Sequence, residues 1–181
     1  EDIMKIINLF FSATGNTAKV AQTIHDTVQQ VGHRVETVKI TKDLDLDVLA
    51  YDLILVGSGV YEWLPGQPLI DLFTKLRRRY AELGEIKPSA PRRAGKKAVV
   101  YCTYGGCHTG VNEAIPAVKY MGQLFEHLGF DIVGEWYTVG EYHPDKYKEM
   151  STGGRLGDIR GRPHDADLRE IAEKVKGILQ V

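Results

Sequence analysis

The chain has 181 residues, a formal net charge of −1, and 43% hydrophobic and 26% charged residues. This length fits one domain with a sizeable core, and the composition is that of a globular chain rather than a disordered one. Two cysteines are too few to form a disulfide framework for such a domain, and their spacing is not that of a metal site. We therefore expect a reducing, cytoplasmic compartment. A net charge close to zero argues against general binding to nucleic acids or membrane surfaces. No secretory leader is recognised, and no apolar run approaches the ~20 residues of a membrane span.

Short apolar runs alternate with amphipathic stretches along the chain, which indicates alternating strands and helices. The predicted strands are Ile3–Phe11, Arg34–Ile40, Tyr51–Gly57, Lys97–Thr103 and Phe130–Val139. The predicted helices run from the turn at 12–17 to Gly32, from Pro68 to Leu83, from Asn112 to Leu128 and from Asp165 to Leu179. The second strand alternates polar and apolar residues, as expected of an edge strand with one solvent-exposed face. Pro116 is tolerable only in the first turn of its helix or at a kink.

This alternation predicts an α/β fold: a three-layer, doubly wound sheet of five parallel strands in one domain that spans 1–181. The irregular stretch 140–163 is an extra connection before the final helix. It is either an extended segment over the sheet edge or a lid near a ligand. In folds of this class ligands bind beyond the carboxyl ends of the strands, so the loops at those ends are the candidate site.

The first such loop is Ser12-Ala13-Thr14-Gly15-Asn16-Thr17, which leads directly into a helix. Its hydroxyls can donate to phosphate oxygens, and Gly15 permits close approach of the backbone. The helix start adds free N–H groups and the positive end of a dipole. A site of neutral hydroxyls and amides suits a monophosphate better than a magnesium-bound triphosphate. The structural alternative is a helix cap in which Thr14 or Asn16 satisfies backbone donors.

The loop after the third strand, 57–68, is rich in Gly and Pro and carries two large aromatics, Tyr61 and Trp63. A hairpin would not need these side chains at that position. A planar heteroaromatic ring would stack on either of them. The alternative is that both aromatics cover the edge of the core.

The loop after the fourth strand is 103–110, in which Gly105 and Gly106 expose backbone N–H groups to a flat ligand. Tyr104 adds a third aromatic. Cys107 is either a redox thiol or simply a small loop residue. His108 is a proton donor, a cation beside a reduced cofactor, or a surface histidine. Cys102 lies within a buried strand and belongs to the core.

These three loops resemble flavodoxin in the motifs Ser-x-Thr-Gly-Asn-Thr at 12–17, Gly-Ser-Gly-Val-Tyr at 57–61 and Thr-Tyr-Gly-Gly at 103–106. The resemblance implies the strand order 2-1-3-4-5 and bound flavin mononucleotide, FMN. It implies that the 5′-phosphate is held by Ser12, Thr14, Gly15, Asn16 and Thr17. It also implies that the isoalloxazine ring is lined on one side by Ser58, Gly59, Val60, Tyr61 and Trp63, and on the other by Thr103, Tyr104, Gly105, Gly106, Cys107 and His108.

The function that this resemblance implies is low-potential electron transfer between redox protein partners. The alternative is an NAD(P)H-dependent, FMN-containing reductase of a quinone or another small acceptor. A third hypothesis is a phosphate-binding module without flavin. The loops yield no nucleophile–base pair and no His/Cys metal cluster, so we assign no catalytic residue and no metal.

The charge is distributed unevenly. Segment 75–97 holds nine Lys or Arg residues against two Glu residues, a net +7, and the rest of the chain carries −8. This basic segment is either a solvated helix end and loop or a docking patch for an acidic partner or a phosphorylated cofactor. The sequence leaves the oligomeric state open.

Overall fold

The computed structural model describes residues 4–180, so Ile3, the first residue of the predicted first strand, lies outside the described residues. The strands are β1 (Ile6–Phe11), β2 (Val35–Lys39), β3 (Leu53–Tyr61), β4 (Leu64–Pro65), β5 (Lys97–Tyr104) and β6 (Asp131–Val139). The helices are α1 (Asn16–Gln30), α2 (Gln67–Glu82), α3 (Ile115–His127), α4 (Met150–Gly153) and α5 (Asp165–Leu179).

Five strands form one parallel sheet in the order β2-β1-β3-β5-β6, and the two-residue β4 pairs antiparallel with β3. Counting the parallel strands alone, this is the predicted order 2-1-3-4-5, and the predicted doubly wound α/β fold is confirmed. The alternating strand β2 lies at the edge of the sheet, as its pattern predicts, and its residues are half-buried or exposed.

Helices cover both faces of the sheet and give the fold two apolar cores. Ile24 of α1 and Ile171 of α5 pack with Leu55 on one face. Leu72 of α2 and Phe125 of α3 belong to the core on the opposite face. A side chain buried in this way contributes ~1.5–3 kcal/mol. Because β3 is covered on both faces, its first half is a continuous apolar run rather than an alternating one.

A buried polar network ties the first helix to the centre of the sheet. Asn8 of β1 is fully buried, and its Oδ1 accepts a hydrogen bond of 2.8 Å from the Tyr101 hydroxyl on β5. Its Nδ2 donates to the Ala21 carbonyl of α1 at 3.0 Å. Burial raises the pKa of Tyr101, so its hydroxyl stays protonated and remains a donor. One amide therefore fixes β1, β5 and α1 relative to one another.

Two element boundaries differ from the predictions. The third strand does not end at Gly57 but continues to Tyr61 and turns back into β4, so the predicted loop is a β-hairpin. α3 begins at Ile115 rather than Asn112, because residues 110–113 form a 3-10 turn. Pro116 lies in the first turn of α3, where a backbone N–H would have no partner within the helix, so the proline costs no hydrogen bond.

The start of the last helix is fixed by an ion pair at its amino end. Arg162, in segment 140–163, pairs with Asp167 of α5, and Asp167 also accepts a hydrogen bond of 2.9 Å from the His164 amide. Burial raises the pKa of Asp167, but these hydrogen bonds outweigh that effect and hold the pKa below its usual value. Among residues 4–180, no helix is long and apolar enough to cross a membrane.

The contact between Gly57 and the Tyr101 ring generates a stability prediction. A Cβ at Gly57 would lie 2.0 Å from the ring, which is buried and cannot move away. We therefore expect Gly57→Ala to lower the free energy of unfolding by about 1–3 kcal/mol or more, because core overpacking forces neighbouring atoms to shift. Chemical denaturation followed by circular dichroism measures the change.

Gly177→Ala is the matched control, because nothing lies within 4 Å of a Cβ built there on the exposed face of α5. Alanine is favoured over glycine in a helix interior, so this variant should gain up to about 1 kcal/mol. Equal effects at the two positions would contradict the packing argument.

Candidate functional site

Three loops meet at one end of the sheet because β1, β3 and β5 are adjacent parallel strands. The Oγ1 atoms of Thr17 and Thr103 lie 2.8 Å apart and join the first loop to the third. The rings of Phe11 and Tyr61 have centroids 6.0 Å apart and join the first loop to the second. The structure thus brings the three predicted loops together.

The first loop presents an uncapped helix end. Gly15 has a φ of 104°, a left-handed conformation that favours glycine, and it stands at the N-cap of α1. No side chain caps α1 and no acidic residue lies in its first turn, so the proposed cap by Thr14 or Asn16 is not formed. Ser12 Oγ accepts a hydrogen bond of 3.1 Å from the Gly15 amide, and Thr14 is exposed. The turn is therefore rich in donors and free of negative charge.

The Asn16 and Thr17 side chains point away from this turn and make structural contacts. Thr17 is almost fully buried against Thr103. Asn16 donates through Nδ2 to the Glu141 carbonyl at 3.0 Å and accepts through Oδ1 from His143 Nε2 at 2.8 Å. The backbone amides of Asn16 and Thr17, rather than their side chains, are the groups that remain for a ligand at the helix start.

The second loop is a tight hairpin. Ser58 is fully buried at its base, where Oγ accepts from the Gly66 amide at 2.9 Å and donates to the Gly59 carbonyl at 2.8 Å. The two turn residues, Glu62 and Trp63, have φ values of 47° and 70°, as in a type I′ turn. Neither is a glycine or an asparagine, so the hairpin stores backbone strain at its tip.

The hairpin aromatics take different positions. The Tyr61 ring lies against Phe11, and its hydroxyl approaches Gly59, where a Cβ would meet it at 3.0 Å. Burial raises the pKa of Tyr61, and a hydrogen bond with the Ala13 backbone partly opposes this rise. Trp63 is 62% exposed at the tip. Tyr61 packs on Phe11, which itself packs against the core, so covering of the core edge stays an alternative for Tyr61.

The third loop is held by close backbone approaches. Thr103 is buried and Tyr104 is half-buried. Gly105 packs under the ring of Tyr142, where a Cβ would lie 2.1 Å from a ring carbon. The Gly106 carbonyl accepts a hydrogen bond of 2.9 Å from the Gly110 amide, which closes the loop on itself.

Cys107 and His108, at the outer end of this loop, form a cluster with Met150 and Glu113. Cys107 Sγ is 2.9 Å from His108 Nδ1 and 3.7 Å from Met150 Sδ. Glu113 Oε1 accepts hydrogen bonds of 2.8 Å from the amides of His108 and Thr109. Cys107 and His108 could be singled out from the sequence, whereas Glu113 and Met150 were not predicted. A local turn at 110–113 places Glu113, and only the fold brings Met150 to Cys107. Cys102 is fully buried in β5, as predicted.

Segment 140–163 lies over the carboxyl end of the sheet, beside the first and third loops. His143 bonds to Asn16, and the Tyr142 hydroxyl is 3.4 Å from the Cys107 amide. Arg155 donates its backbone N–H to the Cys107 carbonyl at 2.8 Å. These contacts place the segment next to the candidate site, as the lid interpretation requires.

Comparison with known proteins agrees with this geometry. Residues 7–83 match the family model of the flavodoxin domain, which includes the first two loops. The protein has a flavodoxin-like fold. The resemblance inferred from the three loop motifs is thereby confirmed. No match was found among curated protein sequences.

Solved flavodoxins share this flavodoxin-like fold over nearly the whole chain. Oxidised Flavodoxin 2 from Bacillus cereus has a TM-score of 0.66 at 19% identity, covering 97% of this chain and 98% of that one. A mutant flavodoxin from Fusobacterium nucleatum bound to flavin mononucleotide has a TM-score of 0.62 at 12% identity, with 99% and 98% covered. A flavodoxin from the domain Archaea has a TM-score of 0.59 at 19% identity, covering 98% of this chain and 97% of that one. At these identities the similarity shows the fold alone.

The strained turn of the flavodoxin-like hairpin yields a second prediction. Asparagine adopts left-handed backbone conformations more readily than glutamate, so we expect Glu62→Asn to raise the free energy of unfolding by about 0.5–1 kcal/mol. Chemical denaturation measures the gain.

Glu82→Asn is the matched control, since Glu82 is also exposed but ends the right-handed helix α2. Asparagine is the poorer helix former, so this variant should be slightly less stable than the parent. A loss of stability in both variants would argue against strain at residue 62.

Proposed function

We propose that this protein binds FMN and carries electrons at low potential between redox protein partners. The observation that supports this most strongly is the uncapped amino terminus of α1, which lies next to the partly exposed aromatics of the hairpin. A phosphate and a flat ring joined by a short chain need these two features side by side.

The first loop fits a phosphate monoester. The Gly15 amide already donates to an oxygen, that of Ser12, and the first turn of α1 holds no carboxylate to repel an anion. The exposed Thr14 hydroxyl and the exposed Lys19 add a donor and a positive charge. We therefore assign the phosphate to the Asn16 and Thr17 amides and to the Thr14 hydroxyl. The Ser12 hydroxyl, whose oxygen accepts from the Gly15 amide, can still donate its own hydrogen.

The second and third loops fit the ring. The rings of Tyr61 and Tyr142 lie close against the backbone of Gly59 and Gly105, and aromatic rings of this kind can stack on a flat ligand. Bound FMN supplies the electron chemistry, and the protein sets the energy of its reduced forms. Apolar aromatic walls and the Glu62 carboxylate disfavour negative charge on a reduced ring, which lowers its potential.

The hairpin is also the surface at which we place the redox partners. Tyr61, Trp63 and Leu64 are 41%, 62% and 41% exposed and form an apolar patch beside the proposed ring site. An electron-transfer partner that docks here would contact the site directly.

The basic segment 75–97 is less suited to this role. Five of its nine cations, Lys75, Arg79, Arg92, Arg93 and Lys96, form ion pairs with acidic side chains. Several of these pairs lie where β3, β5 and β6 begin, about 25 Å from the carboxyl ends of the strands, given ~3.3 Å per strand residue. Docking of an acidic partner through this segment stays a prediction.

Cys102 and Cys107 are both free thiols, which is consistent with a reducing compartment. A cytoplasmic location is therefore part of the proposal.

A charge placed at the first loop tests the phosphate assignment. We expect Thr14→Glu to weaken FMN binding at least tenfold, because the new carboxylate repels the phosphate across a short distance. Its binding of riboflavin, which has no phosphate, should change little. The fold should not suffer, since a carboxylate near a helix amino terminus is favourable. Quenching of flavin fluorescence measures both affinities.

Gln29→Glu is the matched control, since it adds the same charge to an exposed position at the other end of α1. Its FMN affinity should equal that of the parent. Parent protein that binds no FMN, or a Thr14→Glu variant that binds it normally, would contradict the proposed site.

An anaerobic reduction experiment separates the carrier from the NAD(P)H-dependent reductase. We expect spectro-electrochemical titration of the FMN-loaded protein to resolve two one-electron stages. NADH or NADPH alone should leave the flavin colour unchanged over minutes. The Glu62→Asn variant should have less negative potentials, because it lacks the carboxylate beside the ring.

Rapid bleaching by a nicotinamide cofactor would instead establish the reductase, with a quinone or another small molecule as the acceptor. The contacts of segment 140–163 with the first and third loops are the observation that favours this second function, because they supply a wall for a substrate pocket.

A further inference from the structure

We propose that Cys107, His108 and Glu113 form a Zn²⁺ site at the outer end of the loop that follows β5. The three side chains offer a thiolate, an imidazole nitrogen and a carboxylate oxygen, which are the ligand types that zinc prefers. This inference does not depend on flavin binding.

The ligand atoms already lie close together. The Cys107, His108 and Glu113 ligand atoms all fall within 4.8 Å of one another. Cys107 Sγ is 2.9 Å from His108 Nδ1, and that nitrogen is 3.6 Å from Glu113 Oε1. Ligand atoms around tetrahedral zinc are roughly 3.3–3.8 Å apart, given metal–ligand bonds of ~2.0–2.3 Å. A small rotation of the exposed His108 ring would increase the distance from Cys107 Sγ to His108 Nδ1 to this range.

The carboxylate is held in place before any metal binds. Glu113 Oε1 accepts hydrogen bonds from two backbone amides, those of His108 and Thr109, at 2.8 Å each. Its side chain is only 15% exposed, and within residues 4–180 its ion-pair partner is His108 alone. Hydrogen bonds from backbone amides to a ligand oxygen orient the carboxylate toward a metal. A partly buried carboxylate that is not paired with Lys or Arg also favours binding of a metal cation.

The thiol is fixed by the segment that crosses the loop. The Cys107 carbonyl accepts from the Arg155 amide at 2.8 Å, and Gly154 packs so closely that a Cβ there would lie 2.9 Å from Cys107. Three protein ligands leave a fourth position of the tetrahedron for water. Met150 Sδ lies 3.7 Å from Cys107 Sγ. A bound ion would therefore lie beside segment 140–163, which contacts the Cys107 backbone.

Metal titration of the reduced, flavin-free chain tests the site. We expect one Zn²⁺ per chain in competition with a chromophoric chelator, in the presence of a phosphine reductant that does not bind zinc. Cys107→Ser should abolish binding, and Glu113→Gln should weaken it at least tenfold. Co²⁺ in place of Zn²⁺ should give a thiolate charge-transfer band that Cys107→Ser removes. His127→Ala, which alters an exposed histidine outside the cluster, should bind like the parent.

Thiol reactivity supplies a second readout. Cys102 is fully buried, so Cys107 should be the thiol that reacts in the native protein, and Zn²⁺ should slow that reaction. The Glu113→Gln variant should lose this protection at the same Zn²⁺ concentration while its melting temperature in the absence of metal stays close to that of the parent.

Several outcomes would overturn the proposal. They are millimolar affinity, zinc uptake that survives Cys107→Ser, or loss of binding in His127→Ala, each of which indicates an adventitious ion only. A preference for Cu⁺ that Met150→Leu abolishes would also overturn it, because the site would then be a thiolate–thioether copper site. FMN uptake measured on the same chain keeps failure of this proposal distinct from failure of the proposed function.

Discussion

The buried amide of Asn8 is the constraint on which the candidate site depends. Its two hydrogen bonds, to Tyr101 on β5 and to Ala21 on α1, set the helix in register with the sheet. Loss of either partner would leave a buried polar group unsatisfied, which costs about 1–3 kcal/mol. Because α1 starts at the turn that ends β1, this one side chain also determines where the amino-terminal N–H groups of α1 point. Gly57 makes the arrangement possible by leaving space for the Tyr101 ring.

The two ends of the sheet have different chemistry. At the amino ends of the strands, ion pairs such as Lys96–Asp52 and Arg92–Asp131 neutralise much of the basic segment. At the carboxyl ends lie an uncapped helix, exposed aromatics and close glycine contacts. Charged side chains at the amino ends of the strands pair with one another, whereas the carboxyl ends retain unused hydrogen-bond donors and apolar surface. The candidate site lies at the carboxyl ends, whereas these ion pairs of segment 75–97 lie at the amino ends.

Segment 140–163 connects these features. It reaches the phosphate turn through His143 and Asn16, and it reaches the third loop through Tyr142 and Cys107. Its far end is tied to α5 by the Arg162–Asp167 pair. The segment therefore contacts two of the three loops and adds the Met150 thioether to the cluster around Cys107.

Much of the fold and the place of the site could be predicted from the sequence. Continuous apolar runs and helical spacing are local properties, so they indicated five parallel strands, the final helix Asp165–Leu179 and the loops at 12–17 and 103–110. The hairpin was not predicted, because its turn residues Glu62 and Trp63 lack the Asn-Gly chemistry that marks such turns. Pairing of β4 with β3 holds them in left-handed conformations despite their own preferences.

The side-chain contacts of the site were decided by tertiary structure alone. Asn16 and Thr17 look like phosphate ligands in the sequence, yet their side chains bond to residues 141, 143 and 103. Met150 joins Cys107 only because the chain returns to the same end of the sheet, whereas the local turn at 110–113 brings Glu113 beside His108. A sequence specifies which groups can bond, through their chemistry and local spacing. Which partners they meet depends on packing between distant segments, and that is a property of the folded chain.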